Sequence, residues 1–339
     1  NLKFTGYIND VDLSFIGTLA SNQTLNGIID LGEVCIVGNG STTDNYFDGT
    51  KILDLFYNRT KALSLVKFVC PKGATTAINA GAGFEYIDTL VFDCEISEFG
   101  QEYVAIDRKI NHLIIGERTI KINDNAFKYN LLNSIHFPSS LQTIGDGALM
   151  GVLADLSKTN INIFPSLEKI GKLVFVNDNN TIPLVPSNKG TLPDTIKLPK
   201  IRNFNITAFD YKENIHIYLG DSLKVMSYRP DIRNDNIYWE PNLNNVFFHL
   251  RTSTPSSFDF EMLGLKRLIP YGLTLCIPKG SKDAYEEILN KYSSTIPHYY
   301  TLIEEDILLE QIILHPSELA MEIGDIITIS ATLLPESTT

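Results

Sequence analysis

The residues with chemistry to offer sit inside short apolar triplets. His136 stands between Ile135 and Phe137, Asn162 between Ile161 and Ile163, and Lys197 between Ile196 and Leu198. His216 lies between Ile215 and Ile217, Phe247 between Val246 and Phe248, and His112 directly precedes Leu113-Ile114-Ile115. A side chain that alternates with apolar neighbours points to the other face of a strand. Imidazole, amide and ammonium groups gathered on such a face can receive a glycan or an acidic peptide. His112, His136, Asn162, Lys197, His216 and Phe247 are therefore the candidate binding residues. The same band also reads as a solvated face with no ligand. A metal ion is not expected there, because His136 and His216 lie three strands apart at about 4.8 Å each.

Other chemistries find little support. The acidic groups are Asn9-Asp10, Asp48-Gly49, Asp93-x-Glu95 and Glu304-Glu305-Asp306. A glycosidase needs two carboxylates about 5–10 Å apart across a cleft, and nothing in the sequence pairs these. Solvated turns explain them, and Glu304 to Asp306 reads as a polar link. The sequence has no GxSxG, HExxH, P-loop or GxGxxG motif, and Gly81-Ala82-Gly83 reads as a turn. Cys35, Cys70, Cys94 and Cys276 form no CxxC, so neither zinc nor any other cofactor is expected. Free buried thiols are the simpler reading, with a Cys70–Cys94 disulfide as an open alternative.

Composition narrows the partners. Among 339 residues, 40 acidic side chains outnumber 28 basic ones, a net charge of −12 that argues against nucleic acid. Mean hydropathy is +0.01, and no apolar run is long enough for membrane insertion. The first residue is Asn1, so a signal peptide is read as absent or already removed.

The elements that must position the candidate residues recur. Apolar triplets begin at residues 68, 90, 113, 135, 161, 196, 215, 246 and 275. Their early spacing of 22, 23 and 22 later drifts between 19 and 35. One such strand cannot bury its apolar pair alone, whereas a stack of them builds a continuous core. Between strands the chain must turn back. Ile122-Asn-Asp-Asn-Ala126-Phe127, Ile144-Gly-Asp-Gly-Ala148-Leu149 and the looser Ile170-Gly-Lys-Leu-Val174-Phe175 mark that return. Asp or Asn after the Ile can cap a helical turn, with the small Ala beneath it. A right-handed parallel β-helix has rungs of similar length but favours Gly- and Asn-rich turns over a helical return.

Ala126-Phe127, Leu132-x-x-Ile135-His136-Phe137-Pro138, Leu141 and Ile144 closely resemble the repeat of BspA-like leucine-rich-repeat proteins of bacterial surfaces. The start resembles the N-terminal cap of such proteins, with a strand over Leu2 to Phe4 and a helix over Asp10 to Leu19. Leu275-Cys276-Ile277-Pro278-Lys279-Gly280-Ser281 leading into Ala284-Tyr285 resembles their closing segment. There Ser281 is the expected N-cap, and Tyr285, Ile288, Leu289 and Tyr292 share one helical face. The alternation from Gln311 to Pro335 resembles the beginning of a bacterial group-2 Ig-like domain.

The expected fold is thus an α/β repeat: an irregular leucine-rich-repeat solenoid with a parallel sheet on one face, plus a partial all-β Ig-like segment. Residues 1–60 form the cap and first repeat, 61–303 the solenoid closed by a helix, and 304–339 a linker and Ig-like segment. The resemblance implies a non-catalytic recognition or adhesion module at the cell surface or outside the cell. Its partner would be a host or community protein or glycan. A structural spacer in a longer surface protein, or a β-helix polysaccharide-active enzyme, are the alternatives.

Overall fold

The computed structural model describes residues 2–9, 11–12, 15–16, 27–36, 63–69, 76–77, 84–92, 98–99, 109–128, 134–151, 164–176, 192–209, 214–228, 231–233, 236–239, 242–252, 257–259, 272–291, 300–306, 309–315 and 330–335. Parallel strands in three sheets dominate these residues, and helices are few. No helix among them is long and apolar enough to cross a membrane.

The first sheet orders Leu2–Ile8, Ile28–Ile36, Leu63–Val69, Phe84–Phe92, Lys109–Ile115 and Ser134–His136, each parallel to the next. Phe68 pairs with Leu90, Leu90 with Leu113 and Leu113 with Ile135, as the aligned triplets require. The first strand runs to Ile8 rather than stopping at Phe4. Asn9 then caps a helical segment: its Oδ1 accepts from the N–H of Val11 and Asp12, and the Asp12 carboxylate accepts from Asn9 N–H.

The third sheet orders Thr195–Leu198, Ile215–Leu219, Val246–Leu250, Leu273–Pro278 and Tyr300–Glu305, again parallel. Its register departs from the triplet alignment. Ile196 pairs with Ile217 rather than Ile215, and Leu275 with Phe248 rather than Val246. A shift of two residues keeps every side chain on its expected face but moves it one row along the sheet. The step of 31 residues between Ile215 and Val246 contains an antiparallel pair, Asp231–Arg233 with Asn236–Trp239. Tyr300–Glu305 belongs to this sheet, so the expected polar link at Glu304 and Glu305 is instead the end of a strand.

The return side corrects the expected helical turns. Thr76–Ala77, Glu98–Phe99, Lys121–Ile122, Thr143–Ile144, Lys169–Ile170, Asn203–Asn205, Val225–Ser227 and Ser257–Asp259 form a second parallel sheet of very short strands. Tight turns follow three of them, and equivalent positions Asn125, Gly147 and Leu173 have φ of 56°, 62° and 54°. That left-handed conformation stops a helix after one turn. Asp124 Oδ1 accepts from Asp146 N–H at 2.8 Å, and Asp146 Oδ1 from Lys172 N–H at 3.0 Å. Each aspartate thus ties its turn to the next. A Cβ on Gly145 or Gly171 would collide with the carboxylate and backbone N–H of the preceding aspartate, which explains glycine there.

The core between the sheets is continuous from Ile8 to Leu289. Ile122, Ile144, Ile170 and Phe204 supply it from the second sheet, Ala126, Ala148 and Ala208 lie fully buried, and Phe127, Leu149, Phe175 and Phe209 fill behind them. Phe175 stacks on Phe209 at 5.2 Å and meets Phe137 edge-on at 6.0 Å. Phe204-Asn-Ile-Thr-Ala208-Phe209 is therefore a fourth copy of the return motif, with Phe in place of Ile. Its one helical turn, Ile206–Ala208, is a 3-10 turn in which Asn205 Oδ1 accepts from Thr207 N–H.

At the far end, Lys282–Asn290 forms an α-helix with Tyr285 and Leu289 buried. Ser281 does not cap it through its side chain; its Oγ donates to the Pro278 carbonyl at 2.5 Å. Leu309–His315 and Ser330–Pro335 form an antiparallel pair. Asn162, Cys70, Cys94 and Tyr292 lie outside the described residues.

Candidate functional site

Two rows of side chains cross the outward face of the third sheet. Thr195, His216, Phe247, Thr274 and Thr301 are register partners in one. Lys197, Tyr218, His249, Cys276 and Ile303 are partners in the next. Arg251, two residues beyond His249, and Glu305, two beyond Ile303, continue the same alternation.

The rings in these rows are packed together. His216 stacks on Phe247 with centroids 4.9 Å apart and planes 12° apart. Tyr218 stacks on His249 at 4.2 Å and 8°, and the His216 and His249 rings meet edge to edge with centroids 5.1 Å apart. Rings on neighbouring strands are brought face to face by the strand spacing, which favours such pairs by about 0.5–1.5 kcal/mol each beyond burial.

A hydrogen-bond chain links two of the rings to Glu305. His249 Nδ1 lies 3.0 Å from both carboxylate oxygens of Glu305, and its Nε2 lies 2.8 Å from His216 Nδ1. A carboxylate only accepts, so His249 Nδ1 donates to it. With His249 neutral, its Nε2 accepts from His216 Nδ1–H, which leaves His216 Nε2 an acceptor. Arg251 Nη1 reaches Glu305 at 3.5 Å, and its guanidinium lies 5.7 Å from the Tyr218 ring centroid. His249 and Arg251 are each only 7% exposed, and Arg251 Nε has no hydrogen-bond partner.

Burial sets the proton affinities. It holds the His216 imidazole below its ordinary value, and neighbouring His249 adds to this, while Glu305 and Asp194 act the other way. Burial pushes the Cys276 thiol up to about 12, Glu305 adding and Arg251 opposing. A thiol in that state is protonated at neutral pH and is a poor nucleophile.

The structure thus places three of the sequence candidates, Lys197, His216 and Phe247, on this face. His112 and His136 belong to the first sheet, where His112 Nδ1 lies 2.8 Å from Ser134 Oγ and His136 is exposed at the last strand. On the same sheet Val91 is 8% exposed and Ile114 37%. Tyr218, His249, Arg251 and Glu305 were missed. Continued alternation would have found the first three, in His216-x-Tyr218 and Phe247-x-His249-x-Arg251. Among the described residues of this face, the structure adds Arg251 and Glu305 to the charge of Lys197.

Comparison with known proteins bears on the scaffold. Six copies of the BspA type leucine rich repeat region match residues 54–182 and 97–218. This chain carries a BspA-type leucine-rich-repeat region. The matched segment contains the first-sheet strands from Leu63 to His136 and the returns from Thr76 to Asn205, and it ends within Ile215–Leu219. His216 and Tyr218 lie at the end of the matched segment, and Phe247 and His249 follow it. No curated protein matches the sequence. Among solved structures, the crystal structure of pneumococcal vaccine antigen PcpA is similar at 12% identity over 73% of this chain and 81% of that chain, with a TM-score of 0.24. A likeness so slight carries no function across.

Proposed function

We propose that this chain is a non-catalytic recognition module of a bacterial cell surface, which binds a protein or glycan through the outward face of the third sheet. One observation carries the reading: His216, Tyr218, Phe247 and His249 form a pre-packed cluster, with His249 tied to Glu305 and Arg251 beside Tyr218. Groups already held in place lose little freedom when a partner arrives. Stacked rings present their edges rather than their faces, so the partner meets imidazole nitrogen and phenol oxygen and is recognised by hydrogen bonds. Lys197, in register beside Tyr218, adds positive charge suited to an acidic group. His112 and His136, on the first sheet, and Asn162 remain secondary candidates.

The non-catalytic part of the reading rests on the state of the reactive groups. The Cys276 thiol is protonated, and the Glu305 carboxylate is committed to His249 and Arg251. Surface localisation and the solenoid shape are carried by the type of repeat. A panel of matrix proteins, acidic peptides and glycans tests the proposal on the purified chain. Binding that falls about tenfold in His216→Ala/Phe247→Ala supports it; binding unchanged in that variant, or none across the panel, removes it.

A second reading, a spacer in a longer surface protein, draws on the antiparallel pair Leu309–His315 and Ser330–Pro335 beyond the last parallel strand. That pair is compatible with the partial Ig-like segment expected within residues 304–339, beyond Glu305.

A further inference from the structure

His249, Cys276 and Glu305 bring an imidazole, a thiol and a carboxylate together from three consecutive strands, with one ligand atom of each lying within 4.8 Å of the others. We propose that these three side chains bind a divalent transition metal, with zinc the best match, and that His216 orients the histidine ligand.

The donor set selects the metal. A thiolate with an imidazole and one carboxylate suits zinc, whereas calcium and magnesium demand several oxygens. Tetrahedral zinc with bonds of about 2.0–2.3 Å holds its donors roughly 3.3–3.6 Å apart. His249 Nδ1 and the Glu305 oxygens, at 3.0 Å, already sit near that spacing. Cys276 is the register partner of His249, and Glu305 lies one alternation beyond Ile303, the partner of Cys276. Closing the remaining gap takes about 1.2–1.5 Å at most, within reach of side-chain rotation.

The surroundings fit a ligand set. His216 Nδ1 bonds the distal nitrogen of His249 at 2.8 Å, the contact that commonly fixes the ring of a metal-bound histidine. The metal would take the place of the proton between His249 and Glu305. That proton would move to His249 Nε2, which then donates to His216 Nδ1, with the His216 proton passing to its own Nε2, and the Cys276 thiol would release its proton on binding. Arg251 is the opposing charge. Glu305 offers two oxygens, so one can ligate while the other keeps Arg251 Nη1, now 3.5 Å away. Three protein ligands leave a fourth position for water or for a group on a partner. The inference goes beyond the recognition reading and does not depend on it.

The test is cobalt(II) titration of the full chain, reduced and freed of metal, read by thiolate-to-cobalt absorption and then displaced with zinc. One equivalent of cobalt should produce the band and zinc should abolish it. Cys276→Ser should remove the band, and Glu305→Gln and His249→Gln should each weaken binding by about tenfold or more. His216→Asn should weaken it by about 10–100-fold with the band intact, as for an outer-shell partner. Circular dichroism of each variant separates lost binding from lost fold. Absence of the band in the unaltered protein overturns the proposal. So does a band that survives Cys276→Ser, which would place the thiolate at Cys35, Cys70 or Cys94.

Discussion

Replacing Glu305 by Gln tests whether the last parallel strand is fastened by its carboxylate. The substitution keeps the shape and one acceptor for His249 Nδ1, but removes the charge opposite Arg251. The Arg251 side chain is 4% exposed, and its guanidinium already has one nitrogen without a partner. At 3.5 Å and an effective dielectric of about 20, the Coulomb energy of the pair is roughly 5 kcal/mol before desolvation. Breaking a fully buried pair costs about 3–5 kcal/mol, and the 27% exposure of the Glu305 side chain lowers the expectation to about 2–3 kcal/mol. The loss should appear in thermal unfolding and, locally, as faster amide exchange across Tyr300–Glu305 and Leu273–Pro278. Adding Arg251→Met removes the orphaned charge and should recover about 1 kcal/mol or more. A change below about 0.5 kcal/mol with unaltered exchange would refute the argument, because a desolvated, unpaired guanidinium cannot be that cheap.

Other outcomes follow from the packing. A Cβ on Gly220 would fall on the Pro199 carbonyl, so Gly220→Ala should lose about 2–4 kcal/mol in thermal melts. Gly280→Ala, with φ at +82° and open space around it, should lose only about 1–2 kcal/mol. Asp146→Ala removes the acceptor for Lys172 N–H and should cost about 1.5–3 kcal/mol in denaturant unfolding, with Asp146→Asn milder. Phe209→Ala opens the core beside Phe175 and should cost about 3–5 kcal/mol by the same measure. Cys276 is 3% exposed, so iodoacetamide should leave it unlabelled in the native protein and modify it after unfolding, as mass spectrometry would show.

Alternation made the first sheet legible, because Leu90, Leu113 and Ile135 are inward residues in plain triplets that pair as aligned. The return motif was legible through Ile122, Ile144 and the alanines that follow. Its fourth copy was hidden, since Phe204 fills the isoleucine position with a larger ring. The helical reading held for the fourth return, where Asn205 caps a 3-10 turn, and failed at the other three for a local reason: Asn and Asp after the isoleucine serve left-handed turns and turn-to-turn hydrogen bonds as well as caps. In the third sheet the strands run to five residues, and a triplet cannot say which of two inward residues meets its neighbour. His216 and Phe247 were therefore found without Tyr218, His249 and Arg251. Glu305 was hidden differently: two adjacent acids near a composition change look like a link, and only pairing with Leu273–Pro278 turns them into strand.

Tyr300–Glu305 is the outermost strand of its sheet among the described residues. Stacked repeats melt from their termini, because an end rung has one neighbour where an inner rung has two. The bonds from Glu305 back to His249 and Arg251 skip over the intervening strand and reach the one beyond it. They act as a latch on the end of a zipper, and a bound ion or partner that closed it would slow fraying of the whole stack.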